Sequence, residues 1–345
     1  MKRTAVVICP GRGTYNKPEL GYLGRHHGDK ADFIAMLDRY RAERGQEAIS
    51  ALDGAERYSV AGYSRGDNAS PLIYGCAYAD FMAIGRDDIE IVAVTGNSMG
   101  WYIALACAGA LSAENGMHVV NTMGTLMQES LIGGQTVYPF VDDEWNAIPG
   151  RRAEILALVD DIGNRADCSL FVSIELGGML VLAGDEAGLT ALEAALPRVN
   201  DRFPMRLPNH AAFHTPLQQP IAEKGRALLP AGLFGQPQVP LIDGRGSVWY
   251  PHAVDVAALW RYTLDHQVVQ PYDFTRAVQS SVQEFAPDCV IVLGPGNTLG
   301  GAVAQALIAC SWDGLGSKTD FSERQKQDPL LISMGLDEQR VQVTG

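Results

Sequence analysis

The sequence predicts an α/β protein with a mostly parallel sheet, and three short apolar runs carry that prediction. They cover residues 5–9, 89–95 and 289–293, and each one ends at a glycine turn. Runs that are apolar on both faces are typical of strands buried in a parallel sheet. Helical patterns follow the second and third runs, over residues 101–111 and 299–309. Strand, glycine turn and helix in succession indicate an α/β large domain.

The middle of the chain predicts a second unit with a different order of elements. Strands are expected at residues 136–141, 170–174, 179–183 and 202–207, and helices at 151–162 and 186–196. This β-α-β-β-α-β order is typical of a ferredoxin-like unit. We therefore expect a large catalytic domain over residues 1–132 and 209–317, with an inserted small domain over 133–208. Residues 318–345 turn polar and are expected to form a loosely held tail.

Composition and charge exclude several classes of protein. The 345 residues are 47% hydrophobic and 19% charged, which is a globular composition and not a disordered or coiled-coil one. The net charge of −13 argues against a nucleic-acid partner, because such a surface repels phosphate backbones. No apolar run approaches the ~20 residues of a membrane span. With no signal-like N-terminus, we expect a cytoplasmic protein without a membrane partner.

The six cysteines do not form a CxxC pair, so they predict neither a zinc site nor a dithiol redox motif. They are expected to be free thiols, mostly buried. The glycine turns at residues 11–13 and 294–296 do not fit a dinucleotide-binding fingerprint. The sequence therefore implies no metal and no nucleotide redox cofactor.

A GxSxG motif at residues 96–100 is the clearest chemical signal in the chain. It lies between a predicted strand and a predicted helix, where such a motif exposes a nucleophilic serine at a sharp turn. The pattern makes Ser98 the candidate nucleophile. It also leaves the backbone N–H of Met99 free to stabilise an oxyanion.

A nucleophilic serine needs a base, and the chain has seven histidines. His26 and His27 lie in a charged stretch and are expected to be solvated, while His118 lies within a helical pattern and is expected to be packed. Of the other four histidines, His210 and His214 are the candidates, and spacing alone does not choose between them.

Four segments resemble, in order, the motifs of the malonyl-CoA:acyl-carrier-protein transacylase family. VVICPGRGTY is similar to the family's FPGQGSQ opening, and TGNSMGWYIALACAGALS to its AGHSLGEYSALVCAGV elbow and helix. AAFHTPL resembles the GAFHSxLM segment that holds the family's histidine, and VLGPGNTLGG resembles the ELGPGxxL turn. The resemblance covers about residues 4–310 and implies the hydrolase-like core and small domain of that family.

The resemblance implies ping-pong acyl transfer from acyl-CoA to the phosphopantetheine thiol of an acyl carrier protein, in fatty-acid or polyketide biosynthesis. Ser98 would carry the acyl group as an ester and His214 would be the base. The backbone N–H groups of Met99 and Arg12 would form the oxyanion hole, and the carbonyl of Gln267 would orient the histidine. No permanently bound cofactor is implied, because acyl-CoA is the substrate.

Several pocket positions depart from the family pattern. Met123 stands where members that use malonyl groups carry a carboxylate-binding arginine, so the resemblance implies an uncharged short acyl group. Phe213 also favours a compact acyl chain. Asn97 replaces a histidine and Trp101 a glutamate beside the nucleophile, and Glu175 lies where asparagine is common; all three are expected in the pocket.

Alternative functions follow from the same residues. Arg12 could replace the lost arginine and support malonyl transfer, or it could pair with phosphates of coenzyme A. Attack by water on the serine ester would make the protein an acyl-carrier-protein hydrolase. A non-catalytic scaffold and an unrelated α/β-hydrolase esterase are also considered. Docking of an acidic carrier protein would need basic residues, for which Lys224, Arg226 and Arg245 are candidates.

Overall fold

The computed structural model describes residues 2–345 and contains two β-sheets surrounded by helices. The strands, in chain order, are β1 (Arg3–Cys9), β2 (Ile89–Gly96), β3 (Gly134–Pro139), β4 (Leu170–Leu176), β5 (Met179–Gly184), β6 (Met205–Arg206), β7 (Leu241–Ile242), β8 (Val248–Trp249), β9 (Tyr272–Asp273), β10 (Cys289–Val292) and β11 (Leu331–Ser333).

The α-helices are numbered along the chain in the same way. They are α1 (Tyr22–His26), α2 (Ala31–Ala42), α3 (Ile49–Asp53), α4 (Val60–Tyr63), α5 (Gly66–Ala83), α6 (Gly100–Cys107), α7 (Ala113–Ser130), α8 (Arg151–Gly163), α9 (Glu186–Ala195), α10 (Gln219–Leu228), α11 (Val256–Arg261), α12 (Gln267–Val269), α13 (Phe274–Phe285), α14 (Gly300–Ala309), α15 (Lys318–Gln327) and α16 (Asp337–Arg340). A π-helical turn, Tyr262–His266, joins α11 to α12.

The large sheet has the strand order β11-β10-β1-β2-β7-β8. All neighbours pair in parallel except β7 and β8, which are antiparallel. The three apolar runs of the sequence form β1, β2 and β10, and residues 5–9 of β1 are completely buried. Helices α6 and α14 begin just after the glycine turns that follow β2 and β10. The predicted mostly parallel α/β architecture is confirmed.

The second sheet has the order β6-β3-β5-β4-β9. Strands β3 to β6 and helices α8 and α9 follow the predicted β-α-β-β-α-β order, and β3 to β6 pair in antiparallel fashion. Their apolar side chains form a separate core, which includes Tyr138, Ile155 and Leu192. The fifth strand, β9, comes from the C-terminal half of the chain and pairs in parallel with β4. The boundary at residue 208 remains a prediction.

The C-terminal segment differs from the expected loose tail. Strand β11 is an edge of the large sheet, and Val343 is buried. Arg340 donates a hydrogen bond of 2.6 Å from its guanidinium to the buried carboxylate of Asp80. The polar composition of the segment did not indicate that it packs against the fold, because the residues that anchor it are few and widely spaced.

His27 also departs from its prediction. Its imidazole is fully buried, and its Nε2 lies 2.8 Å from Oδ1 of Asp80. The charged stretch around it is solvated, but this one side chain turns inward to the Asp80 carboxylate. All six cysteines are free, and four of them are buried, as expected. Within residues 2–345, no helix has both the length and the apolar content needed to cross a membrane.

Candidate active site

Ser98 lies at a sharp turn between β2 and α6, at the carboxyl end of the large sheet. Its φ is 54°, a left-handed conformation that costs a non-glycine residue about 1–2 kcal/mol. The surrounding backbone holds this turn, since the N–H of Asn97 donates to the Cys9 carbonyl over 3.1 Å. A Cβ on Gly100 would lie 2.3 Å from that same carbonyl oxygen. Glycine at position 100 therefore lets the turn at residues 96–100, the elbow, pack closely against the end of β1.

His214 is the histidine that the fold brings to Ser98. It follows β6 in a loop, has a φ of 62° and is completely buried. Its N–H donates to the Val268 carbonyl over 2.8 Å, which fixes the loop backbone. Its Nε2 lies 2.8 Å from the Ser98 Oγ. The geometry thus distinguishes it from His210, whose Nδ1 lies 3.0 Å from the carbonyl oxygen of Pro208.

The other ring nitrogen of His214 determines which tautomer is present. Nδ1 lies 2.5 Å from the main-chain carbonyl oxygen of Gln267, which can only accept, so Nδ1 carries the proton. Nε2 is then free to accept from the Ser98 hydroxyl. Burial lowers the pKa of His214 to about 4, although the Gln267 carbonyl opposes this shift. The imidazole is therefore neutral and ready to act as a base near neutral pH.

Two backbone N–H groups near Ser98 are available for an oxyanion. Within residues 2–345, the amides of Met99 and Arg12 donate to no other protein atom. Glycine at position 11 allows the two turns to approach closely, because a Cβ there would lie only 2.8 Å from the Asn97 carbonyl oxygen. Such paired amides are the usual means of stabilising a tetrahedral intermediate.

A cavity of about 290 Å³ opens beside Ser98, between the two sheets. Its wall is mostly apolar, and it includes the predicted pocket residues Met123, Phe213 and Asn97. The small sheet contributes residues from β3, β4 and β5. The apolar lining residues are Met99, Tyr102, Val120, Met123, Met127, Val137, Ile174, Leu176, Val181, Met205, Leu207, Ala211 and Phe213.

The side chain of Arg12 lies in the wall of this cavity. One guanidinium nitrogen donates to the carbonyls of Ser64 and Asn209 over 2.6 and 2.8 Å, and another contacts the Met127 thioether. Within residues 2–345, its buried Nε finds no hydrogen-bond partner, and the guanidinium forms no ion pair. Burial lowers the pKa of Arg12 to about 10, so the group stays charged at neutral pH.

Known proteins that are similar to this chain in sequence and fold include acyl carrier protein transacylases. No family model matches the chain. The malonyl CoA-acyl carrier protein transacylase of Bacillus subtilis is 25% identical over 237 residues, covering 68% of this chain and 71% of that protein. Polyketide synthase GfsB of Streptomyces halstedii is 27% identical over 208 residues, 60% of this chain but only 3% of the synthase.

Solved structures extend the similarity to the whole fold. The malonyl-CoA:acyl carrier protein transacylase of Xanthomonas oryzae has a TM-score of 0.75 and 20% identity, covering 99% of this chain and 98% of that one. A malonyl-transacylase solved in complex with a type II polyketide synthase acyl-carrier protein has a TM-score of 0.71 and 20% identity, covering 89% and 93%. The predicted resemblance to the malonyl-CoA:acyl-carrier-protein transacylases is confirmed.

Two of the predicted pocket residues lie outside the pocket of this transacylase fold. Trp101 is fully buried in the core, where its Nε1 donates to the Thr263 hydroxyl over 3.0 Å and its ring meets Tyr262 edge-on. Successive helix residues point about 100° apart, so Trp101 faces the core. Glu175 instead pairs with Arg152 on the surface, at 2.5 Å.

Other residues at the transacylase-like site carried no signal in the sequence. The hydroxyl of Tyr272 donates to the Gly96 carbonyl over 2.5 Å, and its ring lies 5.3 Å from that of His214. The hydroxyl of Tyr102 donates to the side-chain oxygen of Gln267 over 3.0 Å, close to Ser98. The two hydrogen bonds join residues 176 and 165 positions apart, so no local pattern could have identified them. Among residues 2–345, no group of three His, Cys, Asp or Glu side chains is arranged to hold a metal ion.

Proposed function

We propose that the protein transfers an acyl group from acyl-CoA to the phosphopantetheine thiol of an acyl carrier protein, through an ester on Ser98. The observation that carries the proposal is the 2.8 Å contact between Ser98 Oγ and His214 Nε2, beside a cavity with a mostly apolar wall. The relatives named above support it, since one is a transacylase solved with its carrier protein.

The first half of the reaction forms the ester. His214 Nε2 takes the hydroxyl proton while Ser98 Oγ attacks the thioester carbon, and the carbonyl oxygen becomes an oxyanion near the N–H groups of Met99 and Arg12. Collapse of this intermediate breaks the carbon–sulfur bond. The departing coenzyme A sulfur takes the proton from His214, and Ser98 keeps the acyl group.

The second half transfers the acyl group to the carrier. His214 removes the proton from the incoming pantetheine thiol, and the sulfur attacks the ester carbon. The second oxyanion uses the same two amides. Its collapse breaks the bond to Ser98 Oγ, which regains a proton from His214. Because the imidazole receives and returns one proton in each half, no other acid or base is required.

The acyl group that best fits the cavity is short and uncharged. Met123 is 2% exposed and lies in the wall, where a thioether cannot pair with a carboxylate. Burial of an unpaired carboxylate against such a wall costs several kcal/mol. An apolar cavity of about 150 Å³ holds a benzene molecule, so 290 Å³ leaves room for several carbons.

A second candidate is an acyl group with a distal carboxylate, and the state of Arg12 favours it. Its guanidinium reaches Met127, one helical turn from Met123 on α7, and forms no ion pair within residues 2–345. A buried cation with thioether and carbonyl neighbours would gain a strong partner in a carboxylate. Arg12 would then supply the cation that position 123 lacks.

Intact-mass spectrometry after exposure to acetyl-, butyryl-, hexanoyl- and malonyl-CoA tests both candidates. We expect a single acyl adduct from the uncharged thioesters and none in S98A. M123R should add malonyl loading. If malonyl loads the parental protein and R12Q, which keeps the backbone N–H, abolishes this, the second candidate replaces the first. No adduct from any thioester would contradict acyl transfer.

Addition of an acylated carrier protein separates transfer from hydrolysis. Acyl exchange with coenzyme A supports the transferase, whereas release of free acid at a higher rate indicates the hydrolase. Of the proposed docking residues, Arg226 pairs with Asp265 and Arg245 with Asp243. Lys224 is exposed and, within residues 2–345, forms no ion pair, so it is the best candidate for contact with an acidic carrier.

A further inference from the structure

One residue contacts both members of the Ser98–His214 pair. The main-chain oxygen of Gln267 accepts from His214 Nδ1 at 2.5 Å, and its side-chain Nε2 donates to the main-chain oxygen of Ser98 over 3.1 Å. Gln267 is 2% exposed, and its bond to His214 is buried. The first contact selects the tautomer of the histidine, whereas the second leaves the histidine untouched and acts on the serine backbone.

Tyr102 fixes the orientation of the Gln267 amide. Its hydroxyl donates to Oε1 of Gln267 over 3.0 Å, and the ring is buried. The Ser98 carbonyl can only accept, so the amide must present its NH₂ to it and its oxygen to the tyrosine. Burial raises the pKa of Tyr102, which keeps the hydroxyl protonated as a donor. The three groups form a directed chain from Tyr102 through Gln267 to Ser98.

Both reactive residues need such support because both have left-handed backbones. The φ angles are 54° at Ser98 and 62° at His214. Non-glycine residues keep such conformations only where the surroundings determine them. Residues 267 and 268 supply part of this support at both places, since the Val268 carbonyl accepts from the N–H of His214 over 2.8 Å. At Ser98, the Gln267 amide shares the main-chain oxygen with the N–H of Trp101, which donates over 3.0 Å.

The π-helical turn Tyr262–His266 leads directly into Gln267. Such turns are often found at functional sites, where one extra residue redirects the side chains that follow. Neighbouring residues on α6 hold this segment at two points, Trp101 at Thr263 and Tyr102 at Gln267. The turn is therefore anchored to the same helix whose N-terminus carries Ser98.

We propose that the Gln267 side chain, oriented by Tyr102, is a positioning group that sets the Ser98 hydroxyl at bonding distance from His214. The inference rests on the proposed function, because it assumes that Ser98 is the nucleophile. Displacement of a reacting group by about 1 Å can cost 10²-fold in rate. Loss of the amide should therefore slow attack by Ser98 without moving the pKa of His214, whose partner is a main-chain oxygen.

The test measures how fast a fluorophosphonate labels Ser98, as a function of pH, in Q267L, Q267E and Y102F. Q267L keeps the main-chain oxygen but cannot donate, and we expect labelling to slow 10- to 100-fold at every pH. Q267E places a carboxylate against the Ser98 carbonyl, so labelling should be slow at pH 8. It should recover toward pH 5, where the protonated carboxyl can donate. Y102F should slow labelling at least fivefold.

Gln279 provides a matched control, because its Nε2 also donates to a main-chain oxygen, that of Ala306, over 3.1 Å. Q279L should label at the parental rate. Parental rates in Q267L at any pH or in Q267E at pH 8, or equal losses in Q279L and Q267L, would overturn the proposal. If Q267L does not fold, the labelling rate of Y102F tests the proposal instead. A parental rate in Y102F overturns it. Normal labelling without acyl loading from any acyl-CoA would instead contradict the proposed function.

Discussion

At the residue scale, the buried imidazole of His214 determines how the reactivity of Ser98 should depend on pH. Burial lowers its pKa to about 4, and only the neutral ring can accept the Ser98 proton. We expect fluorophosphonate labelling of Ser98 to stay constant from pH 8 down to about pH 5 and to fall as pH approaches 4. H214Q should lose about 10²- to 10⁴-fold in rate at pH 7, the usual contribution of a general base.

H210Q is the matched control, since His210 lines the same cavity but does not contact Ser98. It should keep the parental labelling rate. Stability must be followed in parallel by circular dichroism. A buried neutral histidine contributes full stability above its unfolded pKa of about 6.5, and that contribution is lost as pH falls toward its folded pKa. A labelling midpoint near pH 6.5 in folded protein would contradict this description of His214.

At the scale of elements, the close contact between the elbow and β1 predicts that a methyl group added at Gly100 strongly reduces stability and Ser98 reactivity. A Cβ at Gly100 would lie 2.3 Å from the Cys9 carbonyl oxygen, and backbone cannot give way there. We expect G100A to lower the free energy of unfolding by about 1–3 kcal/mol or more, the cost of overpacking, and to reduce Ser98 labelling. Urea unfolding and labelling rates measure the two effects.

Gly24 is the control for that substitution. It also lies in a helix, but a Cβ there would meet nothing within 4 Å. G24A should leave labelling unchanged and alter stability by less than about 1 kcal/mol, because alanine favours a helix over glycine. Equal stability of G100A and G24A would show that the elbow does not need the close approach.

The elements that the sequence predicts well are those with a strong periodic signal. Residues 5–9 of β1 and all of β10 are buried, so their apolar runs are unbroken, and β2 is interrupted only by the exposed Glu90 near its start. The β-α-β-β-α-β unit has alternating short runs. Strand β11 was missed because its three residues follow a polar helix. Trp101 was misplaced because proximity to Ser98 in the sequence does not tell which face of α6 a side chain occupies.

At the scale of the whole molecule, the docked C-terminus predicts that a distant residue stabilises the fold. Arg340 bonds to Asp80, which also accepts from the Tyr22 hydroxyl and from the Gly294 N–H. Removal of one partner of a buried ion pair costs about 3–5 kcal/mol. We expect R340M to lower the free energy of urea unfolding by that amount.

R165M removes an ion pair from the surface, because Asp161 on α8 and Arg165, which follows the end of α8, are both exposed. It should change stability by less than about 0.5 kcal/mol. If R340M is as stable as R165M, the ion pair between Arg340 and Asp80 contributes nothing measurable to the stability of the fold. The sequence could not predict this cluster, whose members are separated by up to 318 residues and share no local pattern.

The cavity is lined on one side by the segment around Ser98 and on the other by strands of the small sheet. Ser98 follows a strand of the large sheet, whereas the cavity residues Gln135 and Val181 belong to strands of the small one. Cavity-facing positions on β3, β4 and β5 can therefore exchange bulk for space while the nucleophile keeps its geometry. Single substitutions on that wall would therefore change which groups fit the cavity, while the contact between Ser98 and His214 stays in place.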